Sequence, residues 1–229
     1  MFDRSQLVAD IVLADPRTGR VFEGLRIDFC CGGRVPLADA CQARSLDPDD
    51  VLVALEAATT GEPVRERDAR AMSTMALVAH IIERHHAYLR EVLPEVTRMA
   101  EKVSRVHGDK DAGVARLGER VGALAAALEP HLVREEEVLF PLLLAGGAAR
   151  THEELAAMHD DHLVVGGELQ DIRALAGDYV VPAWACTTVR ALWAALEELE
   201  RDVHRHVHLE NNVLMPRFAG AVSAEGVCS

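Results

Sequence analysis

His131-Leu-Val-Arg-Glu135-Glu-Glu-Val138-Leu139-Phe-Pro141 and His206-Val-His-Leu-Glu210-Asn-Asn-Val213-Leu214-Met-Pro216 are two copies of one pattern, H-x-x-x-E-x-x-V-L-[F/M]-P, set 75 residues apart. On a helix, residues four apart share a face and lie about 6 Å apart along the axis. An imidazole nitrogen and a carboxylate at that spacing can bind one metal ion, and the carboxylate can bridge to a second. Two copies on two helices therefore predict a dinuclear metal site inside a helix bundle.

The sequence around the motifs supports this. From about residue 71 four long helical patterns follow, each with an apolar seam at three- and four-residue spacing. The first seam is Met75, Ala79, Ile82, His86, Leu89 and Leu93, and the second is Leu117, Val121, Leu124, Leu128, His131, Glu135, Val138 and Leu142. The third is Leu155, Met158, His162, Val165, Leu169 and Ile172, and the fourth is Val189, Leu192, Leu196, Leu199, Val203, His206, Glu210 and Val213. Thr151-x-x-Glu154 reads as a capping box opening the third helix. Gly108 and Gly146-Gly147 read as separators, and Pro182 as the start of the fourth helix. Pro94 and Pro130 fall inside helical patterns and predict kinks, the second one residue from His131.

A lone histidine on an apolar seam is ordinarily a hydrogen-bonded core residue. A buried glutamate needs a partner, because an unpaired charge in a core is very costly. Here His86, His131, His162 and His206 occupy all four seams, and Glu135 and Glu210 each lie one turn from a histidine. Independently satisfied core residues rarely align in this way. The repeat also extends further, since His86 precedes His131 by 45 residues and His162 precedes His206 by 44. Each half supplies one histidine and one H-x-x-x-E. Two pseudo-equivalent metals follow, each taking two histidines, with Glu135 and Glu210 bridging. An oxo or hydroxo bridge and an exogenous ligand have room beside them. Imidazole and carboxylate without thiolate suit iron better than zinc or manganese. A carboxylate-bridged pair in a four-helix bundle is the di-iron pattern. The seams leave out Glu136, His85, His159, His204 and His208. His159, one turn from His162, is the rival ligand. His107 falls in the connection between the first two helices, as a supporting or surface residue.

Composition agrees with a helical fold. Hydrophobic residues make up 49% of the 229, but aromatic residues only 4%, so the core must be built from Leu, Val and Ala. The formal net charge of −13 argues against nucleic acid or an anionic membrane as partner. No apolar run approaches the roughly 18 residues needed to span a bilayer. Met1-Phe-Asp-Arg-Ser lacks the apolar stretch of a secretory signal, so a cytoplasmic protein is expected. Five cysteines, an odd number with two adjacent, do not make a disulfide framework.

Residues 1–65 read as a separate small helical domain ahead of a bundle domain spanning 66–229. Ser5 to Leu13, Val21 to Arg26, Pro36 to Ala43 and Asp49 to Ala58 are its short helical stretches. Gly61-Glu-Pro63 and the charged run from Arg65 to Arg70 form the linker. Between the second and third stretches lies Asp28-Phe-Cys-Cys-Gly-Gly33, where the glycine pair breaks periodicity. Cys30 and Cys31 read either as small residues in a tight turn or as a thiol pair for redox exchange or for transient capture of iron or nitric oxide. Thiolate is the reactive form, and Arg34 supplies positive charge nearby. Cys41, Cys186 and Cys228 carry no such pattern, although Cys41 could partner one of the pair.

With these motifs together, the chain resembles the iron–sulfur cluster repair di-iron proteins, the repair of iron centres family with a hemerythrin-like domain. The resemblance rests on Asp28-Phe-Cys-Cys-Gly-Gly33, His80-Ile-Ile-Glu-Arg-His-His86 with Leu93-Pro94-Glu95, Val106-His107-Gly-Asp-Lys110, the two H-x-x-x-E stretches and Ala185-Cys-Thr-Thr188. It implies an all-α protein with a hemerythrin-like up-down four-helix bundle. It implies two non-haem iron ions, oxo- or hydroxo-bridged, on the same six ligands the seams select. It further implies restoration of iron–sulfur clusters after oxidative or nitrosative stress, with iron donation and nitric oxide chemistry both associated with the family. The partners implied are damaged iron–sulfur proteins, with nitric oxide or O2 as small ligands, and a homodimer is as compatible with the sequence as a monomer. Oxygen-carrying hemerythrins use one more histidine, so the present set favours labile iron over oxygen carriage. Some family members carry an acidic residue one turn before the first H-x-x-x-E, lining a route to the metals. Ala127 stands there in this chain, which shifts any such route to Asp161. A hemerythrin-type sensor of diatomic gas or iron is the alternative function, and the sequence leaves open whether a substrate is turned over.

Overall fold

The computed structural model describes residues 2–62, 68–146 and 148–219, with the side chains of 148–152 and 219 outside that set. Pro63, Arg65, Gly147 and Cys228, named above, lie outside the described residues. Backbone contacts divide the chain into two compact units, one of Met1–Leu77 with Val207–Arg217, the other of Val78–His206 and Phe218–Ser229. Both divisions cut through continuous helices, after Leu77 and after His206.

In the first unit the short helices are α1 (Val8–Ala14), α2 (Gly19–Gly24), α3 (Leu37–Ala43) and α4 (Pro48–Ala58), within a few residues of the sequence boundaries. Val8, Ile11, Phe22, Leu37 and Leu55 are fully buried and make its core. Asp47 opens α4 by accepting the Asp49 N–H, with Pro48 in the first turn where its missing N–H costs nothing. Arg17 closes the unit. It pairs with Asp15 and donates to the carbonyls of Thr59, Thr60 and Glu62.

Four helical rods carry most of the second unit, their ends at 74–77 and 207–217 belonging to the first. They are α5 (Thr74–Ile81) continuing into α6 (Ala87–His107), α7 (Ala112–Arg134) continuing into α8 (Phe140–Ala145), α9 (Ala148–Leu175), and α10 (Thr187–Leu209), which runs on to α11 (Pro216–Ala219). The buried face is Leu, Val and Ile on every rod, for example Leu93, Val121, Leu169 and Leu196. Short connections such as residues 108–111 make sequential rods antiparallel neighbours. Asp111 caps α7 through the N–H groups of Gly113 and Val114, a start signal that the glycine reading passed over.

Several boundaries differ from expectation. The backbone of α9 is already helical at Ala148, so Thr151 lies inside the helix and is not its cap. The fourth rod starts at Thr187, beyond Pro182. Pro94 and Pro130 sit within uninterrupted helices. The real irregularities are three π-helical turns, at Ile82–His86, Glu135–Leu139 and Glu210–Leu214. In each, an N–H bonds five residues back: Ala87 to Ile82, Phe140 to Glu135 and Met215 to Glu210. One extra residue in a turn rotates everything beyond it by about 100°. The seams slip accordingly. Met75 and Ala79 are exposed and Ile81 and Val78 are buried, while past Glu135 the buried residues are Leu139 and Leu143 in place of Val138 and Leu142.

Candidate metal centre

The histidines and glutamate that the seams place in the second unit meet in the bundle core. His86, His131, Glu135, His162 and His206 are all buried, with Glu135 at 0% exposure. Two sets share Glu135: His86 with His206, and His131 with His162. Within each set the ligand atoms lie within 4.8 Å of one another. His86 Nε2 is 3.3 Å and His206 Nε2 3.7 Å from Glu135 Oε2, while His131 Nε2 is 3.5 Å from Glu135 Oε1. The Nε2 atoms of His86 and His206 face each other at 3.1 Å. Glu210, four residues after His206 in sequence, is fully buried and opens the third π turn, in the part of the helix that belongs to the first unit.

The chemistry of this donor set calls for a cation. Neither oxygen of Glu135 has a hydrogen-bond partner, although both are buried. A carboxylate in that position is costly unless positive charge reaches it. A divalent ion among the imidazoles and the carboxylate answers that cost, and oxygen with nitrogen donors without sulfur suits iron.

Side chains around the donors aim them. The Nδ1–H of His86 donates to Glu136 Oε1 at 2.6 Å, which leaves Nε2 as the lone-pair nitrogen pointing at Glu135. Glu136 is held in turn by Arg90 at 2.9 Å. Burial works to raise the Glu136 pKa, but the bonds from Arg90 and His86 outweigh it and hold the carboxyl below its usual range. Glu136 was expected to lie off the seam. It is off the seam, yet the π turn at Glu135–Leu139 brings it to the back of the first histidine. In the sequence it is one of three consecutive glutamates, and nothing there marks the middle one.

His85 is also more than a seam-excluded residue. It is buried, stacks on His206 at 5.7 Å and bonds Asp202 at 3.0 Å, with burial lowering its pKa against the pull of Asp202. His159, the rival ligand, is exposed and outside both sets. His107 approaches Cys186, at 3.5 Å, near the start of α10. On the other side of the centre, His131 Nδ1 is 3.6 Å from Asp161, and both line a cavity of about 320 Å³ with Ala127, Pro130 and Arg134. The alanine at position 127 thus opens space beside His131, and Asp161 is the acidic group that lines it.

In the first unit the cysteine loop is built around Asp28. Its carboxylate accepts the N–H groups of Cys30, Cys31 and Gly32 at 2.9 Å each. A Cβ on Gly33 would sit 2.3 Å from Phe29 O, so only glycine fits that approach. The two Sγ atoms lie 3.7 Å apart, and none of Cys30, Cys31, Cys41 and Cys186 is in a disulfide. Cys41 therefore pairs with neither. The expected activation by Arg34 is not what governs Cys30. Thiol sharing with Cys31, burial and the Asp28 carboxylate all push its pKa well above the ordinary thiol value. Asp28, Cys30 and Cys31 form a third set of converging ligand atoms within 4.8 Å.

Comparison with known proteins agrees with this geometry. Residues 77–218 match the family described as the hemerythrin HHE cation binding domain, and residues 4–59 match a domain of unknown function (DUF542). The iron–sulfur cluster repair protein YtfE of Edwardsiella ictaluri is 38% identical over 222 residues, covering 96% of this chain and 99% of that one. This chain belongs to the YtfE family of hemerythrin-domain proteins. Two further YtfE-family relatives, named as iron–sulfur cluster repair proteins, come from Yersinia pseudotuberculosis and Dickeya chrysanthemi. The first is 36% identical with 93% and 96% of the two chains covered, and the second 36% identical with 95% and 98% covered. The second unit is helical and carries His and Glu side chains grouped closely enough to hold a metal ion. Among the described residues no helix is long and apolar enough to cross a membrane.

Proposed function

We propose that this chain repairs iron–sulfur clusters damaged by oxidative or nitrosative stress, in the cytoplasm, and that it does so by releasing iron held in its bundle. The carrying observation is Glu135, a fully buried carboxylate with both oxygens unbonded among imidazole nitrogens. The ligands proposed are His86, His131, Glu135, His162, His206 and Glu210, with the two glutamates shared between two irons. Iron bound there would supply an exchangeable, redox-active cation able to bind nitric oxide or O2. The protein's own residues determine how firmly it is held. Glu136 and Arg90 fix the tautomer and tilt of His86, and Asp202 with His85 backs His206. His131 lies nearest the cavity lined by Asp161, which makes that side the exit for an ion and the entry for a small ligand. Four histidines and two carboxylates leave positions open to exchange, as delivery requires. The domain with the cysteine loop, residues 1–65, supplies thiols for transient capture of iron or nitric oxide, and the bundle domain, 66–229, stores the metal. The repair names carried by relatives of nearly the same length favour this reading over gas or iron sensing.

The test is cluster reassembly on an oxidatively damaged dehydratase, with and without the iron-loaded protein, with metal content measured beside it. Two irons per chain and faster reassembly support the proposal. Stoichiometric zinc without iron in protein from iron-replete cells overturns the metal assignment, and iron that never transfers to the damaged enzyme overturns the repair role.

A further inference from the structure

Two of the stretches on which the family resemblance rests, Val106-His107-Gly-Asp-Lys110 and Ala185-Cys-Thr-Thr188, lie outside the grouped metal donors, yet they meet in space. His107 ends α6 and Cys186 directly precedes α10, both within the second unit. His107 Nε2 lies 3.5 Å from Cys186 Sγ. The Trp184 ring packs 5.5 Å from that of His107, and Lys110 Nζ stands 5.4 Å over the Trp184 ring. His86 precedes His107 by 21 residues and His206 follows Cys186 by 20. On either rod that is about 30 Å of helix, so the cluster is remote from the metal centre.

Cys186 is exposed, and three features of its surroundings favour the thiolate. It stands at the N-terminal end of a 23-residue helix, where unpaired N–H groups and aligned peptide dipoles present positive charge. The N–H of Val189, and after it the N–H and hydroxyl of Thr188, draw its pKa below the ordinary thiol value against the opposing effect of burial. The third feature is His107. Its Nδ1 is buried with no hydrogen-bond partner among the described residues. A proton there would be an enclosed N–H without an acceptor, so the neutral ring carries its proton on Nε2, facing Sγ. His107 thus donates to the thiolate. Cys30 is the opposite case, buried beside a carboxylate and pushed well above the ordinary thiol value.

We propose that Cys186 is a thiol–disulfide exchange site for small-molecule disulfides that bear carboxylates, with His107 as its positioning residue. The Cys186 thiolate attacks one sulfur of the disulfide. A bond forms between that sulfur and Cys186 Sγ, and the original sulfur–sulfur bond breaks. The departing sulfur keeps the electron pair of the broken bond, leaves as a thiolate and takes a proton from water. Cys186 is oxidised to a mixed disulfide, and half of the small molecule is reduced to its thiol. Attack by a small thiolate on the adduct reverses the reaction and restores Cys186. Trp184 offers a half-buried face for the adduct, and Lys110 a positive charge for its carboxylates. Because the extent of modification follows the ratio of disulfide to thiol, the site registers oxidation of the small-thiol pool.

The experiment incubates the full-length, iron-loaded protein with glutathione disulfide and follows adduct formation at each cysteine by mass spectrometry. A peptide of residues 182–190 is the reference. Cys186 in the protein should react roughly five- to tenfold faster than in the peptide, the scale on which a helix terminus and a neighbouring histidine raise the thiolate fraction. His107→Ala should remove most of that advantage. It should also reduce the ultraviolet thiolate absorbance, taken as the difference from Cys186→Ser, which a purely structural histidine would leave unchanged. Lys110→Gln should slow glutathione disulfide and leave hydroxyethyl disulfide, which has no carboxylate, unaffected. Iron content and helical circular dichroism should be the same in all variants. A Cys186 no faster than the peptide overturns the site, and that comparison needs no variant to fold. Retention of both rate and thiolate absorbance in folded His107→Ala overturns the role of His107. Equal effects of Lys110→Gln on the two disulfides overturn the carboxylate preference.

Discussion

The two copies of the motif share five side chains in register and differ in almost everything between them. In the first copy, Val133 is 45% exposed and Glu137 is exposed, and Glu136 turns back to hold His86. In the second, the equivalent positions are His208, Asn212 and Asn211, and all three bond the cysteine loop. The shared histidines and glutamates are buried, and the unshared residues answer to whatever lies on the other face of the helix. A helix that presents one face to a metal leaves the other face free to acquire a separate task. The first copy uses it to hold the His86 ring, and the second to grip a loop.

That contrast can be broken most directly at the carboxylates. Glu135→Ala should yield protein with little iron by elemental analysis, and Glu210→Ala should do the same if the copies are equal partners. Glu136→Ala should weaken iron binding by roughly 10–100-fold, the usual cost of removing a residue that orients a ligand. Asn211→Ala, at the matching place in the second copy, should leave affinity unchanged. A loss of iron in Asn211→Ala equal to that in Glu136→Ala would erase the distinction between the copies.

Next in size is the effect of the shared charge itself. Stripping the metal should lower the melting temperature, because Glu135 is then left buried without a cation. In the stripped protein Glu135→Gln should recover about 1–3 kcal/mol of stability, since an uncharged amide avoids most of the burial penalty. A stripped variant that melts below the stripped parent would show that the histidines alone satisfy the carboxylate.

The smallest effects are expected on the outer faces. His208→Val, which copies the first motif into the second, should cost about 1–2 kcal/mol in urea unfolding through loss of the buried bond to Phe29 O. The reciprocal Val133→His should stay within about 0.5 kcal/mol, as exposed substitutions usually do. Equal costs would mean that the outer faces are not specialised.

Much of the metal centre was legible from spacing. Histidines and glutamates four apart on apolar seams have few structural alternatives, and the seams selected four buried histidines and left out exposed His159, but they also left out His85 and His208, which are buried. The phase of the first two seams on the far side of His86 and Glu135 was not legible, because a π turn interrupts each rod there and a fixed 3.6-residue period runs one residue out of step across it, whereas the rod of His162 has no such turn and its seam from Met158 to Ile172 is buried as read. Pro141 and Pro216, each six residues after the motif glutamate, are the one local hint, since a proline cannot supply the N–H that continues a regular ladder. No comparable mark precedes His86.

The amino-acid sequence by itself determined the all-α class, the duplicated donor pattern and the cysteine turn, because these rest on local periodicity, on side-chain chemistry and on a glycine that only a tight turn demands. Tertiary structure alone decided that Glu136 belongs to His86 and that His208, Asn211 and Asn212 hold the cysteine loop. Each of those depends on which residue from a distant part of the chain arrives at a given face. Helical periodicity specifies the direction in which a side chain points, and packing specifies what it meets.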